Sequence, residues 1–137
     1  MQRPQLEHII RAAVGITGAT EIVVIGSQAV LGQFPDAPPA LLASMEADVY
    51  PRNRPERADL IDGAIGEGSR FHEQFGYYAQ GVGEATATLP RHWRNRLVRV
   101  KNANTSVVTI ASPPGIHAKT AVNSRVSRRL APPSARR

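Results

Sequence analysis

The apolar positions near the start of the chain repeat with the period of an α-helix and then merge into a continuous run. Leu6, Ile9, Ile10 and Ala13 are spaced three or four residues apart or adjacent, which places them on one face of a helix. The apolar run within 20–25 is too short for a helix of its own and is typical of a buried strand. The pattern therefore predicts a helix followed by a buried strand.

Further along, the pattern predicts shorter elements separated by connections rich in proline and glycine. Helical segments are predicted over 27–33, 40–45, 56–65 and 71–75, and strands over 46–50, 77–82, 86–89, 93–101 and 107–110. Helices and strands thus interleave along 137 residues, a length typical of one domain. The predicted fold class is α/β (α+β), with a short mixed β-sheet and flanking helices.

Composition excludes several kinds of site. Cysteine is absent, which excludes disulfides, thiolate metal sites and a cysteine nucleophile. No stretch approaches the length of a transmembrane helix, and the first residues lack the apolar run of a signal peptide. We therefore expect a cytoplasmic protein with no membrane partner.

Charge is distributed unevenly along the chain. All eleven acids lie at or before Glu84, whereas the remainder carries eleven Lys and Arg. Such asymmetry is typical of a segment that faces nucleic acid. Residues 1–110 are predicted to form the folded domain, and 111–137, a basic Pro/Ser/Arg-rich tail, to be disordered. GC-rich coding sequence that is read out of frame has a similar composition. The alternative interpretation is therefore that the tail arises from a change of reading frame.

The most informative chemical signal is a Gly-Ser turn followed by two carboxylates. Gly26 and Ser27 close the first apolar run, and Glu46 and Asp48 lie two apart in the next predicted strand, so their side chains point the same way. The turn offers N–H groups and a hydroxyl to a phosphate, and the carboxylates can hold a divalent metal against it. The pattern indicates phosphoryl or nucleotidyl transfer. A solvated strand face and a helix N-cap are the structural alternatives.

These residues resemble the signature of the nucleotidyltransferase superfamily, which is an apolar strand, Gly-Ser, and then an acid–apolar–acid strand. The wider context resembles a bacterial group of DUF6036-type nucleotidyltransferase-like proteins, similar in outline to toxins of the AbiEii type. The likeness covers roughly residues 1–105, and its wider context is carried by 26–35, 62–69, 71–78 and 89–97.

The resemblance implies a nucleotidyltransferase-like core and a reaction. A nucleotidyl group would move from a nucleoside triphosphate to a hydroxyl of RNA or protein, in a toxin–antitoxin or defence system with an antitoxin partner. Gly26 and Ser27 would bind the phosphates, and Glu46 and Asp48 would be the catalytic ligands of Mg²⁺ (or Mn²⁺). The alternative is a catalytically inactive relative that binds nucleotide, RNA or a partner protein.

The acids of this chain depart from the superfamily pattern. Members normally add a third carboxylate on a later strand, and no Asp or Glu follows Glu84. Asp62, Glu67 and Glu73 are interpreted as helix-end and surface acids, with a substitute ligand among them as the alternative. The likeness fails at about Ser106, which indicates an altered or truncated C-terminus.

A group of basic residues near the end of the likeness is a second candidate site. Its members are Arg94, Arg96, Arg99 and Lys101. They are interpreted either as contacts to an RNA acceptor or to the triphosphate, or as the solvated outer face of a strand, and the sequence does not separate the two.

Overall fold

The computed structural model describes residues 1–85, 92–105 and 108–111. The strand predicted at 86–89 and all but the first residue of the predicted tail, 112–137, lie outside the described residues.

The described part of the chain contains four α-helices, most of which the sequence pattern predicts. They are α1 (Arg3–Thr17), α2 (Val30–Gln33), α3 (Ala58–Ile65) and α4 (Arg70–Phe75). Short 3-10 turns lead into α2 and α3, at Ser27–Ala29 and Pro55–Arg57, so the predicted segments 27–33 and 56–65 are helical. A third turn at Pro39–Leu41 replaces the helical segment predicted over 40–45.

Within the described residues, five strands form one mixed sheet in the order β3-β2-β1-β5-β4. Their bounds are β1 (Glu21–Ile25), β2 (Glu46–Pro51), β3 (Tyr78–Gly81), β4 (Val98–Val100) and β5 (Val108–Ala111). β1 pairs antiparallel with β2 and parallel with β5, while β3 runs parallel to β2 and β4 antiparallel to β5. The predicted α+β class with a short mixed sheet is confirmed.

The prediction of a strand over the whole of 93–101 is wrong in its first half. Trp93–Arg96 forms a 3-10 turn, and only Val98–Val100 is a strand. The N-cap of the turn is His92, whose φ is 63°. The Asn95 N–H donates a hydrogen bond of 3.0 Å to the His92 carbonyl, so this part of the backbone forms a turn. Only the part after the turn shows the apolar–polar alternation that a half-buried strand requires.

One face of the sheet packs against α1 and α3 and forms the hydrophobic core. The core side chains of these elements include Leu6, Ile9, Ile10, Ala13, Ile22, Val24, Ala47, Val49, Ile61 and Ala79. Because side chains alternate along a strand, the residues between these positions point to the opposite face, which we call the site face. Val23, Ile25 and Tyr50 on that face are also buried.

A buried carboxylate fixes the loop after β4 to α1. Glu7, which is 6% exposed, accepts hydrogen bonds from Asn102 Nδ2 at 2.7 Å, Asn104 Nδ2 at 3.0 Å and Arg3 Nε at 3.0 Å. Burial raises the pKa of Glu7, but these hydrogen bonds and the nearby Arg3 charge outweigh it, so the net pKa lies below its ordinary value. The ionised carboxylate therefore stabilises the fold.

The backbone leaves β1 through a conformation that only glycine adopts readily. Gly26 has φ 84° and ψ −161°, a region that is closed to residues with a Cβ. This geometry turns the chain from β1 into the 3-10 turn at Ser27–Ala29. The identity of residue 26 is therefore set by the backbone.

None of the helices in the described ranges is both long enough and apolar enough to cross a membrane.

We expect Glu7→Gln to lower the free energy of unfolding at pH 7 by roughly 1–3 kcal/mol, because it removes a charged acceptor from three donors. The folded-state pKa is depressed, so the stabilisation is present above the unfolded pKa and is lost as pH falls through the folded pKa. Urea unfolding should therefore show a smaller difference in the free energy of unfolding between wild type and variant at pH 3 than at pH 7. Glu56→Gln is the control, because Glu56 is exposed and pairs with Arg57 at 3.9 Å on the surface; equal losses in both variants would contradict the assignment.

We expect Gly26→Ala to lower the free energy of unfolding by about 1–3 kcal/mol, because alanine at this φ and ψ is strained. Gly15→Ala is the matched control: Gly15 lies within α1, and an added Cβ there meets nothing within 4 Å, so it should be neutral or stabilising. Urea denaturation of both variants measures the difference. Equal stability of the two would show that Gly26 is not constrained by its backbone.

Candidate functional site

The pairing of β1 with β2 brings the Gly-Ser turn beside the two carboxylates. Ile25, the last residue of β1, lies opposite Asp48 on the antiparallel β2. The next residues, Gly26 and Ser27, continue toward Glu46 at the start of β2, and the 3-10 turn contacts that strand. Two motifs that lie eighteen residues apart in the sequence therefore meet at one end of a strand pair.

Glu46 and Asp48 share the site face, as their spacing predicts. Ala47 and Val49, which flank Asp48, belong to the hydrophobic core on the opposite side. Asp48 is 5% exposed, whereas Glu46 is half-buried, and its Oε2 accepts a hydrogen bond of 3.4 Å from the Tyr78 hydroxyl. The pair thus combines one buried carboxylate with one that solvent reaches.

The strand on the far side of β2 places a neutral amide next to Asp48. β3 runs parallel to β2, with Gln80 in register with Asp48 and Tyr78 in register with Glu46. Residues in register share a face of the sheet, so Gln80 lies on the site face. A carboxylate at this position would lie beside Asp48 on the same face, and the chain has glutamine there.

A cavity of about 360 Å³ opens at the outer edge of β3. Its lining consists of Glu46, Asp62, Glu67, Tyr78, Ala79 and Gln80, so it reaches one of the two paired carboxylates. Gly26, Ser27 and Asp48 are not part of this lining. Asp62 also has a structural contact, because its Oδ1 accepts a 2.8 Å hydrogen bond from the Gly81 N–H.

The donor set at the end of β1 and β2 suits a hard divalent cation. Within residues 1–85, 92–105 and 108–111, no group of three or more His, Cys, Asp or Glu is arranged to hold a metal ion. Mg²⁺, however, is commonly held by one or two carboxylates together with substrate phosphates. Glu46 and Asp48 supply two carboxylates on one face, and Ser27 supplies a neighbouring hydroxyl for a phosphate, so the residues present fit a metal that arrives with a nucleotide.

Ser27 is held by its sequence neighbour. Gln28 is 1% exposed, and its Nε2 donates to Ser27 Oγ at 3.3 Å and to the Leu41 carbonyl at 3.5 Å. The N-cap residue of the 3-10 turn is Gly26, so Ser27 is the first residue of the turn and not its cap. The hydroxyl therefore sits beside the carboxylate strand in a position set by Gln28.

The structure separates the four basic candidates. Arg99 is exposed on β4, and the register through β5 and β1 puts it on the site face. Lys101 is exposed just after β4. Arg94 lies in the 3-10 turn and forms an ion pair with Glu84, and Arg96 belongs to the same turn.

The Arg94–Glu84 pair lies close enough to Tyr50 to affect its ionisation. Burial raises the pKa of the Tyr50 hydroxyl, and the Glu84 charge raises it further, against smaller opposing effects of Arg94 and Arg52. Tyr50 sits on the site face two residues beyond Asp48. The segment around 84 and 94 therefore borders the site face beyond the carboxylates.

Sequence reasoning missed Gln80, Gln28 and Tyr78 as neighbours of the site. Gln80 and Tyr78 lie in a strand that the pattern predicts, but alternation within one strand does not show which other strand lies beside it. Gln28 sits next to Ser27 in the sequence. A long polar residue within an otherwise apolar helical segment was the signal that could have found it.

Comparisons of this chain with models of protein families, with curated proteins and with solved structures find no match.

Proposed function

We propose that the protein is a cytoplasmic, metal-dependent nucleotidyltransferase that moves a nucleotidyl group from a nucleoside triphosphate to a hydroxyl of RNA or protein. The observation that carries the proposal is the antiparallel register of β1 and β2. It sets the Gly26-Ser27 turn beside Glu46 and Asp48, the arrangement that the resemblance to the nucleotidyltransferase superfamily requires. The same resemblance supports a toxin–antitoxin or defence setting with an antitoxin partner.

Glu46 and Asp48 are the residues that would hold Mg²⁺ or Mn²⁺. When bound, the metal neutralises negative charge that builds up on the transferring phosphate. Burial of Asp48 at 5% exposure places one carboxylate where charge interactions are stronger than in water. Half-buried Glu46 faces the cavity, so it lies where an incoming molecule can reach it.

The remaining site residues bind the phosphates and position the nucleotide. The N–H groups at the Gly26-Ser27 turn and the Ser27 hydroxyl are donors to phosphate oxygens. The acceptor hydroxyl would attack the α-phosphate in line and release its proton to water, and pyrophosphate would leave with the electron pair of the broken α–β bond. Most of the rate enhancement in such a reaction comes from positioning the reactants and from electrostatic stabilisation of the developing charge.

Among the basic candidates we favour Arg99, and the register of β4 supports this choice. It shares the site face with Asp48 and lies three strands from β2, which corresponds to about 14 Å at the ordinary strand spacing. An exposed guanidinium at that distance suits an RNA acceptor's backbone or the end of a phosphate chain. Arg94 is less suited, since Glu84 already pairs with it.

A catalytically inactive nucleotide-binding protein is the second candidate, and Gln80 favours it. The superfamily normally has a third carboxylate on a later strand, and the strand beside β2 carries a neutral amide in register with Asp48. Such a protein would bind nucleotide, RNA or a partner protein through the same surfaces. It would bind a nucleoside triphosphate with Mg²⁺ and transfer no label from it.

We expect Asp48→Asn to weaken Mg²⁺-dependent binding of nucleoside triphosphate by at least about tenfold, because it removes one of two charged ligands while keeping the side-chain shape. Titration calorimetry with ATP, GTP, CTP and UTP, each with Mg²⁺ and with EDTA, measures the change. Asp59→Asn is the matched control, because Asp59 is exposed on α3. Equal affinity of wild type and Asp48→Asn would rule out the metal assignment; α-³²P-labelled triphosphates then separate transfer from binding alone.

We expect Gln80→Glu to raise the affinity for Mg²⁺ with nucleotide by about tenfold, or about 1.4 kcal/mol, because it adds a carboxylate beside Asp48. Gln74→Glu, at an exposed position of α4, controls for the added charge. If wild type transfers no label and Gln80→Glu does, the second candidate function is correct. No change in metal-dependent affinity would show that position 80 does not reach the metal.

A further inference from the structure

We propose that Gln28 is a positioning residue for Ser27, an inference that rests on the proposed nucleotide site. Gln28 is 1% exposed, and its amide touches the Ser27 hydroxyl of that site. Nε2 donates to Ser27 Oγ at 3.3 Å and to the Leu41 carbonyl at 3.5 Å, while Oε1 accepts from the Met1 nitrogen at 3.2 Å.

The direction of the contact decides how Ser27 can bind a ligand. A hydroxyl has one proton to donate and two lone pairs to accept. Because the Gln28 amide N–H takes one lone pair of Ser27 Oγ, the hydroxyl proton is directed away from Gln28 and is available to donate. Phosphate oxygens only accept hydrogen bonds at neutral pH, so the contact prepares Ser27 for a phosphate.

The same amide ties the turn to the segment that leads into the carboxylate strand. Besides the Leu41 carbonyl, Gln28 binds the Met1 nitrogen, which also donates to the Ser44 carbonyl. Ser44 in turn accepts a 3.2 Å hydrogen bond from the Glu46 N–H through its Oγ. Contacts through Gln28, Met1 and Ser44 therefore join the Ser27 hydroxyl to the first residue of β2.

A buried glutamine could also serve the fold alone, and the two roles predict different couplings. A residue that only supports the fold lowers stability and affects ligand binding independently of the Ser27 hydroxyl. A residue that acts through that hydroxyl has no effect on binding once the hydroxyl is gone. Double-mutant cycles measure this coupling directly.

The test is a cycle of Gln28→Met, Ser27→Ala and the double variant, each titrated with the Mg²⁺–nucleoside triphosphate that wild type binds best. Methionine keeps the length and volume of glutamine without its donor. We expect each single variant to lose about tenfold in affinity and the double variant to lose no more than Ser27→Ala alone. If the fold-loss of affinity in the double variant equals the product of the fold-losses in the two single variants, the positioning role is wrong.

The controls keep the inference separate from protein stability and from the proposed function. Gln33→Met makes the same change at an exposed position of α2 and should leave affinity unchanged. If Gln28→Met does not fold, Gln28→Asn, which keeps a buried amide but is one methylene too short to reach Ser27, replaces it in the cycle.

If Asp48→Asn weakens binding and Ser27→Ala does not, the inference about Gln28 fails and the proposed site stands. If wild type binds no nucleotide, the proposed function fails.

Discussion

The antiparallel register between β1 and β2 is the constraint on which the rest of the molecule depends. Val24 opposite Val49 puts two apolar side chains into the core against the helices, and Ile25 opposite Asp48 then puts the carboxylate on the other face. A slip of one residue would exchange the two faces of β2 and bury Glu46 and Asp48 among the helices. The hydrophobic packing of the core thus fixes the position of the polar site.

The two faces of the sheet treat buried charge differently. On the core side, Glu7 is surrounded by amide and guanidinium donors from Asn102, Asn104 and Arg3, and its role there is to hold a loop. On the site face, Asp48 is buried in register with Ile25 of β1 and Gln80 of β3. Glu7 therefore supports the fold, whereas Asp48 belongs to the proposed site.

Much of the fold could be predicted from local pattern, because burial of one face imposes a period that a single strand or helix displays. The span of β2 and the shared face of Glu46 and Asp48 follow from alternation alone. The placement of β3 beside β2 could not be predicted in this way, since that pairing joins residues about thirty positions apart through α3 and α4. Gln80 consequently went unrecognised, although the strand that contains it was predicted. The segment 93–96 forms a turn where a strand is predicted. Such a short stretch shows no apolar–polar alternation that would distinguish a turn from a strand.

The neutral residue at position 80 changes how a metal would reach this site. Three carboxylates around one point repel each other and favour a cation bound in advance, whereas two carboxylates with a glutamine carry less negative charge. On the proposed function, the triphosphate is itself strongly negative, and a neutral residue at position 80 would lower the repulsion that it meets on approach. Mg²⁺ gives up its bound waters reluctantly, and it is commonly held jointly by protein carboxylates and substrate phosphates. On the proposed function, metal and nucleotide would therefore enter together, with Ser27 and its Gln28 contact receiving the phosphates and the carboxylate strand receiving the metal.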